Sequence, residues 1–117
     1  MTTAQQLTFW RFLLAAAIAI AVTMALLPKP PDIPIGDKYQ HMAAFGALTI
    51  LSALGYPRAS LLRIGERLSF LGAMIEVLQS IPALHRDCDI MDWVADTSVI
   101  VGVLLVIAAV RRNRAAT

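Results

Sequence analysis

The run "FWRFLLAAAIAIAVTMALL", Phe9 to Leu27, decides how the rest of the chain is read. It carries no charge from Phe12 onward. As a helix rising about 1.5 Å per residue, it comes close to the ~30 Å of a hydrocarbon core. Helices of soluble bundles keep a polar face, and this run has none. It also outlasts the roughly 7–15 apolar residues of a secretory signal, and no small-x-small site precedes "LLPKPP". The run therefore reads as a retained membrane span.

Three further apolar segments of similar length follow, Tyr39 to Gly55, Leu61 to Ile81 and Trp93 to Val110, and the last of them likewise has no polar face. Across the 117 residues 58% are hydrophobic and the mean hydropathy is +0.69, above the about 45–50% apolar share of soluble domains. In lipid the backbone must satisfy its own hydrogen bonds, which helices do. The expected fold is an all-α, polytopic membrane protein, a four-transmembrane-helix bundle forming a single domain over residues 1–117. Gly46, Gly72 and Gly102 are the expected places for close helix approach.

One cysteine, Cys88, excludes an internal disulfide. The pI of about 9.1 could suggest nucleic acid, but the basic residues are few and sit at helix ends. No nucleic-acid partner is expected. With four spans both termini share a side with the connector Tyr56 to Arg67. That side carries Arg11, Arg58, Arg63, Arg67, Arg111, Arg112 and Arg114, against Lys29, Lys38 and Arg86 on the other. Positive charge near short loops marks the cytoplasmic side, so both termini are expected there. Pro57 ends the second helix and Ser60 is the natural N-cap of the third.

The outward side then collects the polar residues. Asp37 and His41 lie one turn apart, as do Asp92 and Asp96, and Glu76 has Gln79 three residues on. Three helices thus carry polar residues at one end and at similar depth. Charge inside a membrane costs about 2.5–3.5 kcal/mol at the centre, so such groups face inward and pair. Lys38 and Arg86 supply the opposite sign, with Arg86 the candidate to keep Glu76 ionised.

His41, His85, Glu76, Cys88, Asp89, Asp92 and Asp96 are ligand types for a metal, but no HExxH or paired CxxC orders them, and Lys38 and Arg86 would oppose a cation. No metal or cofactor is expected. Catalysis stays open, with His41 or Glu76 as general base on a phosphate or ester held by Lys38 and Arg86. No serine or cysteine sits in a nucleophile elbow. Binding, or an accessory role beside an envelope protein partner, is favoured: Lys38 and Arg86 would hold an anionic group while the acids meet an amine or hydroxyls. A purely structural plug that fixes helix register is the plainer alternative.

The stretch "DKYQHMAAFGAL" resembles the D-K-x-x-H-x-x-x-F motif of the VanZ-like family. "GAMIEVLQSIPALHRDCDIMDWVADT" resembles its E-x-x-Q, Arg, then D-x-x-x-[ND]-T pattern. The likeness runs from Asp37 to about Gly102. It implies a small integral protein of the bacterial cytoplasmic (inner) membrane whose characteristic polar residues are Asp37, Lys38, His41, Glu76, Gln79, Arg86 and Asp92. Asp96 stands where the family usually has asparagine, and Val99 where it usually has glycine. The resemblance implies a cell-envelope role, in a family related to glycopeptide-antibiotic resistance. The ligand expected at the polar cluster is a membrane lipid, a lipid-linked envelope precursor or a lipoglycopeptide-type drug. An enzyme acting on a lipid phosphate or lipid-linked glycan is the alternative.

Overall fold

The computed structural model describes residues 2–27, 37–81 and 90–116, the side chains of Asp37 and Lys38 excepted. The chain is all-α, with four helices: α1 (Thr3–Leu26), α2 (Asp37–Gly55), α3 (Leu61–Gln79) and α4 (Ile90–Ala116).

Their ends follow local chemistry. α1 begins six residues before the apolar run because Thr2 and Gln5 close a capping box, each side chain bonding the other's backbone N–H. α2 stops at Gly55, and the turn at Pro57 leads to Ser60, which caps α3 as expected. α3 ends at Gln79 rather than Ile81. There Ser80 and Ile81 donate to Val77 and Leu78, tightening the last turn. α4 outruns the expected Val110 and continues through Arg111, Arg112 and Arg114 to Ala116. Arginine is a good helix former, and nothing after Gly102 breaks the helix.

Among the described residues, α1 and α4 are long and apolar enough to cross a membrane. α2 and α3 have 19 residues each and are less apolar, because His41, Arg63, Glu66, Arg67 and Glu76 interrupt them.

Contacts give the order around the bundle. α1 packs on α2 and α3, α4 packs on the same two, and α2 and α3 also meet across the middle, so α1 and α4 stand at opposite corners. The Arg11 guanidinium donates from Nε to the Gly55 carbonyl at 2.7 Å, which joins the start of α1 to the end of α2. Ser69 and Thr97 share a hydroxyl hydrogen bond of 3.0 Å, and Trp93 Nε1 donates to the Ser69 carbonyl at 2.9 Å. These bonds align two antiparallel hairpins, α1–α2 and α3–α4, side by side.

Leu14, Phe45, Leu48, Ile64, Leu68, Ile75 and Ile100 form the core. The buried hydroxyls of Thr49 and Ser52 donate to the carbonyls one turn back, each at 2.7 Å, so they bring no unmet donor into it. Outside, large apolar side chains are exposed on every helix: Phe12 and Ile20, Ile50 and Leu54, Leu62 and Phe70, Leu105 and Val106. Exposed apolar surface on this scale exceeds the patches that monomeric soluble proteins usually leave to water.

Gly46 and Gly72 lie at close helix approaches as expected, and Gly102 does not. At Gly72 an added Cβ would lie 3.4 Å from Phe45 Cζ and 3.4 Å from Trp93 Cδ1, and at Gly46 it would meet Val99 Cγ1 at 3.4 Å. Val99 is thus seated on a glycine of the neighbouring helix. Gly102 has open space beside it. Gly65, under Leu104, and Gly55, against the Arg11 backbone, are the further tight positions.

Candidate functional site

The polar residues of interest lie at the end of the bundle remote from the termini. Three sit inside it: Glu76, Gln79 and Asp96 are 7%, 1% and 2% exposed. His41 and Asp92 are half-buried. Arg86, His85, Cys88 and Asp89 lie outside the described residues, as do the side chains of Asp37 and Lys38, and so does the expected Glu76–Arg86 pairing.

Gln79 has a specific partner. Its Nε2 donates to the Ala25 carbonyl at 2.8 Å, in the last turn of α1. Helix carbonyls there lack partners within the helix, so a buried amide from α3 satisfies one and ties the two helix ends together. Gln79→Leu should therefore cost about 1–2 kcal/mol, the upper range for polar contacts between helices in lipid. Chemical unfolding in detergent would measure it, and an unchanged midpoint would refute the role.

Glu76 and Asp96 are not level. The Ser69–Thr97 bond sets the register. Glu76 lies seven residues beyond Ser69 and Asp96 one beyond Thr97 towards the same end, an offset of about 9 Å at 1.5 Å per residue. The antiparallel helices reduce it, because each side chain leans towards its own helix N-terminus: Glu76 inward, Asp96 outward. Both carboxylates interact with other groups. One oxygen of each, Glu76 Oε1 and Asp96 Oδ1, is shielded from solvent and takes no hydrogen bond from the described residues.

Two openings flank this end of α3. A notch of about 380 Å³ lies between α3 and the start of α4, with Glu76, Ser80, Ile90 and Trp93 on its walls. A cleft of about 340 Å³ runs between α1 and α2. Its walls are apolar, including Ile20, Ala21, Met24, Phe45 and Ile75, and its polar groups are Gln40 and His41. Gln40 was not anticipated, although it sits beside His41 in the D-K-x-x-H stretch. Ile20 and Ala47 are exposed, so the cleft opens sideways at the bundle surface. Such a slot suits a hydrocarbon chain whose polar head stays near His41.

Among the described residues no group of three or more His, Cys, Asp or Glu side chains is arranged to hold a metal ion. Compared with known proteins, the chain matches no family model, no curated protein and no solved structure.

Proposed function

We propose that the chain is a VanZ-like integral protein of the bacterial cytoplasmic membrane that binds an amphiphilic envelope ligand. All four helices span, both termini are cytoplasmic, and the binding end faces outward. The observation that carries this is the α1–α2 cleft, apolar along its walls and polar only at Gln40 and His41. The apolar exterior on every helix supports immersion in lipid. The arginines gathered around both termini support the orientation.

The ligand's hydrocarbon chain lies in the cleft, entering sideways from the bilayer. Its polar head meets His41 and Gln40, with Glu76, Asp92 and Asp96 setting the charge at this end of the bundle. A lipid or lipid-linked precursor fits this division between apolar and polar parts.

The test is native mass spectrometry of protein extracted gently from membranes. Wild type should carry a bound amphiphile. Ala21→Phe, which fills the cleft, and Glu76→Gln, which removes charge at constant shape, should each reduce its occupancy by at least about tenfold, the equivalent of ~1.4 kcal/mol. Equal occupancy in wild type and Ala21→Phe would dismiss the cleft as the seat of binding.

A further inference from the structure

The opposite end of the bundle has its own cavity. It measures about 340 Å³ and lies between α1 and α3, against the end of α2. Leu14, Ile18, Ile64 and Leu68 make its walls apolar, and Arg63, Arg67 and Tyr56 stand around it. Ser52 also lines it, but the Ser52 hydroxyl is donated to the Leu48 carbonyl. The interior therefore suits hydrocarbon, and the charge is all at the arginines.

Arg63 and Arg67 are one helical turn apart on α3, the spacing at which side chains are neighbours. Guanidinium groups so placed grip phosphate oxygens in pairs. Tyr56 is held for its part: the Arg11 guanidinium lies 4.4 Å from its ring centroid while Nε of the same arginine bonds the Gly55 carbonyl. Seven arginines belong to this end (Arg11, Arg58, Arg63, Arg67, Arg111, Arg112 and Arg114), and Glu66 is the only acid in the same segments. Glu66 lines a groove on the α4 side of α3, away from this cavity.

We infer that this cavity binds an anionic phospholipid, with the phosphate on Arg63 and Arg67 and one acyl chain between α1 and α3. The inference rests on the membrane reading above but is independent of the ligand proposed for the other end. Basic pockets between helices on the cytoplasmic side of a membrane are where anionic headgroups gain most from charge. The apolar slot selects a phosphate that carries a chain over one that does not.

The experiment titrates purified full-length protein in detergent with phosphatidylglycerol, phosphatidylcholine of the same chains, or inorganic phosphate, and reads adducts by native mass spectrometry. Wild type should prefer phosphatidylglycerol by at least about tenfold. Arg63→Gln with Arg67→Gln should bring the ratio close to one, Ile18→Trp should weaken both lipids, and excess inorganic phosphate should not compete. If the double variant does not fold, raising the salt on wild type should erode the preference in its place. No preference in wild type, or one unchanged by both the double variant and salt, overturns the inference. Full competition by inorganic phosphate overturns it in favour of a free-phosphate site. Carbonate-washed membranes provide the separate check: a chain washed off them sinks the membrane reading, whereas a chain retained without lipid preference sinks this inference alone.

Discussion

Replacing Phe45 by alanine should destabilise the fold by about 3–5 kcal/mol, the range for truncating a buried phenylalanine. The ring is 3% exposed and belongs to the core cluster with Leu48, Ile75 and Ile100. Its Cζ reaches the space beside Gly72 on α3, while the ring also forms part of the α1–α2 cleft wall. Truncation would extend the cleft into the middle of the bundle. On the membrane reading, helix association depends on close packing rather than on exclusion of water, so a void there has little to offset it. Equilibrium unfolding in mixed micelles should report the loss. A change under about 1 kcal/mol would mean that the neighbouring helices collapse into the gap.

The same seam predicts the reverse injury. Gly72→Leu should cost about 3 kcal/mol, the upper part of the range for overpacking, because its branch carbons would enter space held by Phe45 and Trp93. Gly72→Ala should be close to neutral: its Cβ meets both rings at 3.4 Å, and alanine recovers up to about 1 kcal/mol of helix preference. In a Phe45→Ala background the leucine has somewhere to go. The double variant should then be more stable than the sum of the single changes by at least about 1 kcal/mol, measurable as a double-mutant cycle. Strict additivity would show that the two positions do not share the space assigned to them.

The parts of this molecule differ in how far sequence reveals them. The α2–α3 connection is legible residue by residue, because Pro57 and Ser60 act on their immediate neighbours. The start of α1 is less so: Thr2 and Gln5 cap it in a stretch without hydropathy signal. The arginines after Val110 look like an anchoring tail, yet their helix preference carries α4 through them. Neighbour order is illegible, since α1 and α4, apolar on all sides, carry no stripe to say which face meets which.

The site divides in the same way. Glu76 and Asp96 announce themselves as acids in apolar helices, and both are buried. Their unequal depth depends on the Ser69–Thr97 register, a contact between residues 28 apart. Gln79 reads identically whether its amide meets a ligand or the Ala25 carbonyl, 54 residues away. Gly102 and Gly65 likewise differ through Leu104 and Ile100, which crowd the second and not the first.

The placing of α1 and α4 at opposite corners bears on how a ribosome delivers this chain. On the membrane reading, the helices most able to enter lipid unaided are α1 and α4, which flank the other two along the chain. The two between them carry the buried polar side chains Thr49, Ser52, Glu76 and Gln79, and both pack against α4. The middle pair thus waits for α4 to emerge before Gly46 and Gly65 receive Val99 and Leu104. A chain lacking the residues from Ile90 onward would leave those seams half-built, so α4 is the element that closes the bundle.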